Sequence, residues 1–173
     1  MVDRREDLER PDMEGLWLEV FPPKSRSFLT GCFYRPPNSS NYYDKDFCSK
    51  MNNTLNTTVS KGQEVVLLGD WNTDFASKRT TIPECKHLKS LFKSLQFTQI
   101  IKEPTRVTAE SRTTIDLIAT NHPQKIKVSG IVTGASLSDH EMTFCVRKIN
   151  WKKAPPQLKT FRNYANYDPD KFL

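Results

Sequence analysis

Glu64-Val65-Val66-Leu67-Leu68-Gly69-Asp70-Trp71-Asn72 is the stretch on which the fold turns. Four apolar residues follow one another without the polar alternation of a half-exposed strand, so the run reads as a strand buried on both faces. Gly69 permits a sharp exit. Asp70 and Asn72, two residues apart, point the same way if the backbone stays extended. Polar groups at the end of a buried strand cost folding free energy unless they are paired or used.

A strand buried on both faces needs layers above and below it, and the flanking sequence offers them. Before it, Leu16, Leu18 and Val20 alternate with Trp17 and Glu19, which predicts a strand over 16–20. A second strand over 28–34 follows the hairpin signal Pro22-Pro23-Lys24-Ser25 and ends at Pro36-Pro37-Asn38. Phe47, Met51, Leu55 and Val59 stand at four-residue steps and predict a helix over 44–60, stopped by Lys61-Gly62. Its many Asn and Thr are weak helix formers, so packing has to hold it. Leu88, Leu91, Phe92 and Leu95 predict a second helix over 87–97, and short strands are expected over 98–101, 114–120, 130–132 and 141–146. Many strands with only two helices imply stacked sheets flanked by helices, not an alternating βαβ fold.

At 173 residues the chain has room for one domain with a tail, and 36% hydrophobic residues suffice for a core. The formal charge of +6 is compatible with a polyanionic partner. No apolar run is long enough to span a membrane, and the charged first residues contain no signal-peptide core, so the expected location is intracellular with reduced thiols. Cys32, Cys48, Cys85 and Cys145 are scattered singly, which fits no zinc ribbon; Cys32 and Cys145 read as small core residues. The expected organisation is a charged, exposed lead-in over 1–14, a domain over 15–149, and a basic linker or tail over 150–173.

Three further features place polar groups beside apolar strands. Asp116 lies within Ile115-Asp116-Leu117-Ile118, Ser138-Asp139-His140 precedes a strand, and Phe33-Tyr34-Arg35-Pro36-Pro37-Asn38 offers a phenol and an amide in a proline-stiffened loop. Taken singly each has a structural reading. Gly-Asp-x-Asn makes turns, an isolated Asp pairs with a nearby cation, Ser-Asp-His caps loops, and Tyr34 suits a core edge.

Their order carries more than the pieces. Tyr34, Gly69-Asp70-Trp71-Asn72, Ile115-Asp116 and Ser138-Asp139-His140, with Pro104-Thr105-Arg106-Val107-Thr108 between, resemble the endonuclease/exonuclease/phosphatase superfamily. More narrowly, the pattern resembles the endonuclease domain of LINE-type (non-LTR) retrotransposon polyproteins. The resemblance implies an α/β fold, a four-layer αββα sandwich, and a divalent-metal phosphodiesterase that nicks DNA. It assigns catalytic roles to Asp70, Asn72, Asp116, His140 and Tyr34. Asp70 would position or deprotonate the attacking water, and His140, oriented by Asp116, would stabilise the scissile phosphate. Asn38, Thr108 and Ser138 would bind substrate, and Asp139 and Asp70 would hold the metal, Mg²⁺ or Mn²⁺, because the donors are oxygens.

The partners implied are DNA and a reverse transcriptase domain in the parent polyprotein, with nuclear access if the chain is functional. The superfamily also has an asparagine and a metal-binding glutamate on strands preceding the tyrosine. Neither Glu6, Glu9 nor Glu14 is expected at such a place, so the sandwich is expected to lack its first strands and to show little or no nicking activity. The alternatives are a phosphatase of the same superfamily and a non-catalytic nucleic-acid-binding fragment whose basic, aromatic tail tracks phosphates.

Overall fold

The structure, a computed structural model, describes residues 1–60, 62–77, 83–133 and 138–149, with Glu84 described by its backbone only. The segment 150–173, expected as a basic linker or tail and in the alternative reading as a nucleic-acid contact, lies outside the described residues. The chain opens with strand β1 (Val2–Arg4), a single 3-10 turn at Glu6–Leu8, and the hairpin of β2 (Gly15–Val20) and β3 (Phe28–Tyr34). Helix α1 (Phe47–Val59), β4 (Val65–Asp70) and helix α2 (Pro83–Ser94) follow. Next come β5 (Thr98–Gln99), the small ribbon of β6 (Arg106–Val107) and β7 (Arg112–Thr113), then β8 (Asp116–Thr120). A 3-10 turn at Pro123–Lys125 leads to the ribbon of β9 (Ile126–Val132) and β10 (Met142–Arg147).

Six strands form one sheet in the order β1-β2-β3-β4-β8-β5, which puts the apolar run of β4 inside it. Period-two alternation sorts its side chains onto two faces. Trp17, Leu29, Phe33, Val65, Leu67, Leu117 and Ala119 pack against Phe47, Met51 and Leu55 of α1 and Leu88, Leu91 and Phe92 of α2 in one buried cluster. On the other face Val66 and Ile118 join Ile101, packed against Leu68, Ile100, Ile131 and Cys145. The described residues thus supply three layers (helices, six-stranded sheet, ribbon) of the expected α/β sandwich. The outer side of the ribbon remains apolar and open, with Val128, Val132, Met142 and Val146 exposed.

Some expectations need correction. The segment 1–14 is not a detached lead-in. Val2, Asp3 and Arg4 pair antiparallel with Val20, Glu19 and Leu18, and Leu8 is buried in the helical core. Glu14 lies immediately before β2, and its carbonyl accepts from Tyr34 N at 3.1 Å, which places its backbone beside Tyr34. Cys32 points from β3 onto the uncovered half of the second face and is exposed. Helix α2 starts at Pro83, whose fixed φ suits a first turn. It ends before Gln96, which takes φ +58 while Phe97 N returns to Phe92 O at 2.8 Å and Gln96 N to Lys93 O at 3.2 Å, a Schellman closure.

Candidate active site

The sheet register brings the site together. Tyr34 on β3 is the parallel partner of Asp70 on β4, and Asp70 is the antiparallel partner of Asp116 on β8. Residues directly opposite share a face, so the three form one rung at the end of the sheet, on the side away from the helices. Gly69 makes this possible. At φ +135 its backbone passes so close to β3 that an added Cβ would collide with the Phe33 carbonyl oxygen, so β4 and β3 can approach there only with hydrogen at that position.

His140 arrives from the 138–140 turn. Its main chain bridges Arg106 of β6, its N–H donates to Ser138 Oγ at 3.1 Å, and Nδ1 lies 3.0 Å from Asp116 Oδ2 and 3.2 Å from Oδ1. An ionised Asp116 can only accept, so this contact places the proton on Nδ1 and leaves Nε2 on the far side of the ring. One potential ligand atom each from Asp70, Asp116 and His140 lies within 4.8 Å of the others, all in half-buried positions. Burial pushes the Asp70 carboxyl above its ordinary value and the neighbouring Asp116 charge adds to that, against a backbone hydrogen bond from Asn72 and the charges of His140 and Arg106. The half-buried Asp70 carboxylate beside that of Asp116 forms an all-oxygen donor pair whose repulsion a hard, oxygen-seeking dication would relieve. Asp70 and Asp116 therefore fit such an ion.

Asn72 is held in the left-handed region at φ +43. Its N–H and Nδ2 donate to Asp70 Oδ1 and Oδ2 at 3.0 and 3.2 Å, and Nδ2 also to Arg35 O at 2.9 Å. Asp139 is not brought into this group. Its carboxylate takes Arg106 Nε at 2.7 Å, and that hydrogen bond, ahead of the loss of hydration, holds its pKa below the ordinary range. Thr108 closes the tip of the β6–β7 hairpin, where its hydroxyl meets Ser111 Oγ at 3.0 Å and accepts from Ser111 N. Ser138 supports the His140 backbone, and the Asn38 carbonyl oxygen accepts from Arg35 at 2.9 Å.

Two residues missed by sequence reasoning hold the site from beneath. Arg35 is buried and donates to Trp71 O, Thr73 Oγ1 and Asn38 Oδ1, fastening the 35–38 loop to the turn that carries Asn72. Thr105 is fully buried, and its hydroxyl accepts from Ile115 N at 3.0 Å and Asp116 N at 2.9 Å, fixing where β8 begins. The signal for Arg35 was its place between an apolar strand and two prolines; no pattern marks Thr105 apart from the Pro-Thr-Arg stretch around it.

The sequence matches the endonuclease-reverse transcriptase family over residues 28–144, more than half of the chain. No curated protein matches it. Among solved structures, the endonuclease domain of TRAS1, a telomere-specific non-LTR retrotransposon, superposes with a TM-score of 0.69 at 12% identity, covering 87% of this chain and 70% of that one. The 3′ phosphatase NExo from Neisseria, bound to a product DNA hairpin, gives 0.64 at 13% identity, covering 86% and 70%. A Staphylococcus aureus beta toxin with bound magnesium ions gives 0.53 at 15%, covering 79% of this chain and 58% of that one. At these identities the likeness is one of fold.

Proposed function

Because the chain belongs to the endonuclease-reverse transcriptase family, we propose that the rung of Asp70 and Asp116 with His140 is a phosphodiester-hydrolysing centre of the DNA-nicking type. The observation that carries this reading is the convergence of two carboxylates and an imidazole within 4.8 Å at one end of the sheet. Asp70, positioned by Asn72 and less acidic than usual, takes the proton of a water that attacks phosphorus. His140, with both ring nitrogens protonated, donates Nδ1–H to Asp116 and Nε2–H to a non-bridging phosphate oxygen. It thereby stabilises the charge that builds as the P–O bond to water forms and the bond to the leaving oxygen breaks, that oxygen taking a proton from solvent. Tyr34, next along the rung and half-exposed, adds a phenol at the same face. Asp70 and Asp116 would hold a divalent cation, which would neutralise charge at the phosphate. Asp139, engaged with Arg106, serves this arrangement by holding the β6 end against the His140 turn.

DNA is the partner in this reading, and a reverse transcriptase domain its companion in the parent polyprotein. The activity expected of the 173-residue chain alone is weak, since the described cluster holds two carboxylates and no glutamate. The test is conversion of supercoiled plasmid to nicked circles in Mg²⁺ or Mn²⁺. Slow conversion, abolished by EDTA and by His140→Ala, is expected. No conversion, or conversion that persists in His140→Ala, removes the proposal. Turnover of soluble phosphate monoesters in place of plasmid transfers the site to the phosphatases.

A further inference from the structure

At the opposite end of the sheet the turns 21–27 and 121–125 flank a cleft of about 420 Å³. Five of its lining side chains are cations, Lys24, Arg26, Lys125, Arg147 and Lys148, and the other two, Ser25 and Gln124, are neutral hydrogen bonders. Glu64 lies buried beneath them, and its carboxylate takes Arg147 Nε at 2.6 Å and Lys125 Nζ at 2.7 Å. One carboxylate against five cations leaves the cleft strongly positive.

The cations on one wall are held in place. Arg147 is fixed by Glu64 and by its stacking over Phe28 at 4.6 Å, and Lys148 by Gln124 O at 2.9 Å. On the facing wall, Lys24 and Arg26 are exposed and make no ion pair among the described residues. The positive band continues past the 121–125 turn into an adjoining cleft bearing Lys102 and Lys127, beside Gln99. Gln99 Nε2 is buried with no acceptor among the described residues.

We propose that this cleft is a second nucleic-acid contact, which grips the sugar-phosphate backbone at a point remote from the Asp70 site. Strand β4 spans the distance between the two, roughly 20 Å from Glu64 to Asp70 at about 3.3 Å per residue. One phosphate therefore cannot serve both. Cations on both walls suit a linear polyanion lying between them, whereas a flat lipid surface would meet only the rims. Arg26 adds a forked donor that matches phosphate oxygens, while Arg147, its fork spent on Glu64, contributes charge alone.

The experiment is fluorescence anisotropy of a labelled DNA of about 20 nucleotides, single- and double-stranded, against the full chain between about 50 and 200 mM salt. The variant is Lys24→Asn with Arg26→Gln. Asn tolerates the left-handed backbone of Lys24, φ +57, so the turn is kept. Expected are a loss of affinity of at least about tenfold and a log–log salt slope shallower by about 2 for duplex, at an unchanged unfolding midpoint. Because the readout is binding, failure of the nicking assay leaves this proposal standing. Wild-type affinity and slope in the double variant overturn it. So does displacement of DNA by polyglutamate at equal charge, or a dependence on Lys24 and Arg26 seen only with phosphatidylserine vesicles.

Discussion

Strand β4 has a carboxylate at each end, and the two live in opposite surroundings. Burial works against ionisation of Glu64, but hydrogen bonds from Arg147 and Lys125 outweigh it and hold its pKa below the ordinary value. Burial also opposes ionisation of Asp70, and there the strongest compensation is one backbone N–H from Asn72 while Asp116 adds repulsion, so the shift goes upward. At the cationic end the carboxylate is satisfied and, through Arg147, holds the ribbon to the sheet. The other end is left short of positive charge, which costs stability and keeps a carboxylate ready for a proton or a cation.

The comparison breaks most visibly in catalysis. Asp70→Asn is expected to lower the plasmid-nicking rate by about 10²–10³, whereas Glu64→Gln leaves the rate per folded molecule near that of the wild type. Stability reverses the ranking. Glu64→Ala strands Arg147 and Lys125 and should cost about 3 kcal/mol in urea unfolding; a cost near zero would mean the clamp is solvated. Thr105→Val removes the acceptor shared by two buried N–H groups and should cost about 2 kcal/mol, lowering nicking as well because Asp116 moves with them.

The smallest effect is in the pH dependence, where the two ends have opposite signs. The depressed Glu64 contributes stability that is complete above its unfolded value, near 4.5, and is lost as pH falls through its lower folded value. Asp70 is raised, so the ionised form penalises folding and acidification through its folded pKa recovers that penalty. Urea midpoints measured across pH should show a flattened acid limb in Glu64→Gln. Asp70→Asn should be slightly more stable than the wild type at neutral pH; a less stable variant would contradict the sign.

The site end was the more legible in the sequence, and the reason is local. Asp70, Asn72 and Asp116 each interrupt or terminate an apolar run, which singles them out before any contact is known, while His140, which only precedes a strand, stood out through the order of the motifs. Glu64 interrupts nothing. It precedes the same run, and its partners Lys125 and Arg147 lie 61 and 83 residues further on, beyond any periodicity. Strand β1 was illegible for another reason: Val2, Asp3 and Arg4 are all exposed at an edge, held by backbone pairing that leaves no apolar pattern. The helix α1 stripe was legible because Phe47, Met51 and Leu55 are buried in register, whereas the end of α2 depends on Gln96 adopting a backbone that Gly or Asn usually supplies.

Trp71, one peptide bond beyond Asp70, has its indole caged by Phe33, Phe47 and Phe92 at centroid distances of 6.0, 5.6 and 5.5 Å. Its Nε1 has no acceptor among the described residues. An indole so dry emits at the blue end of its range, and any shift of the turn that carries Asn72 would let water reach it and redden the spectrum. Light from this ring thus reports the posture of the Asp70 loop without a label, and replacing Trp17 by Phe would remove the signal of the other tryptophan in the same buried cluster.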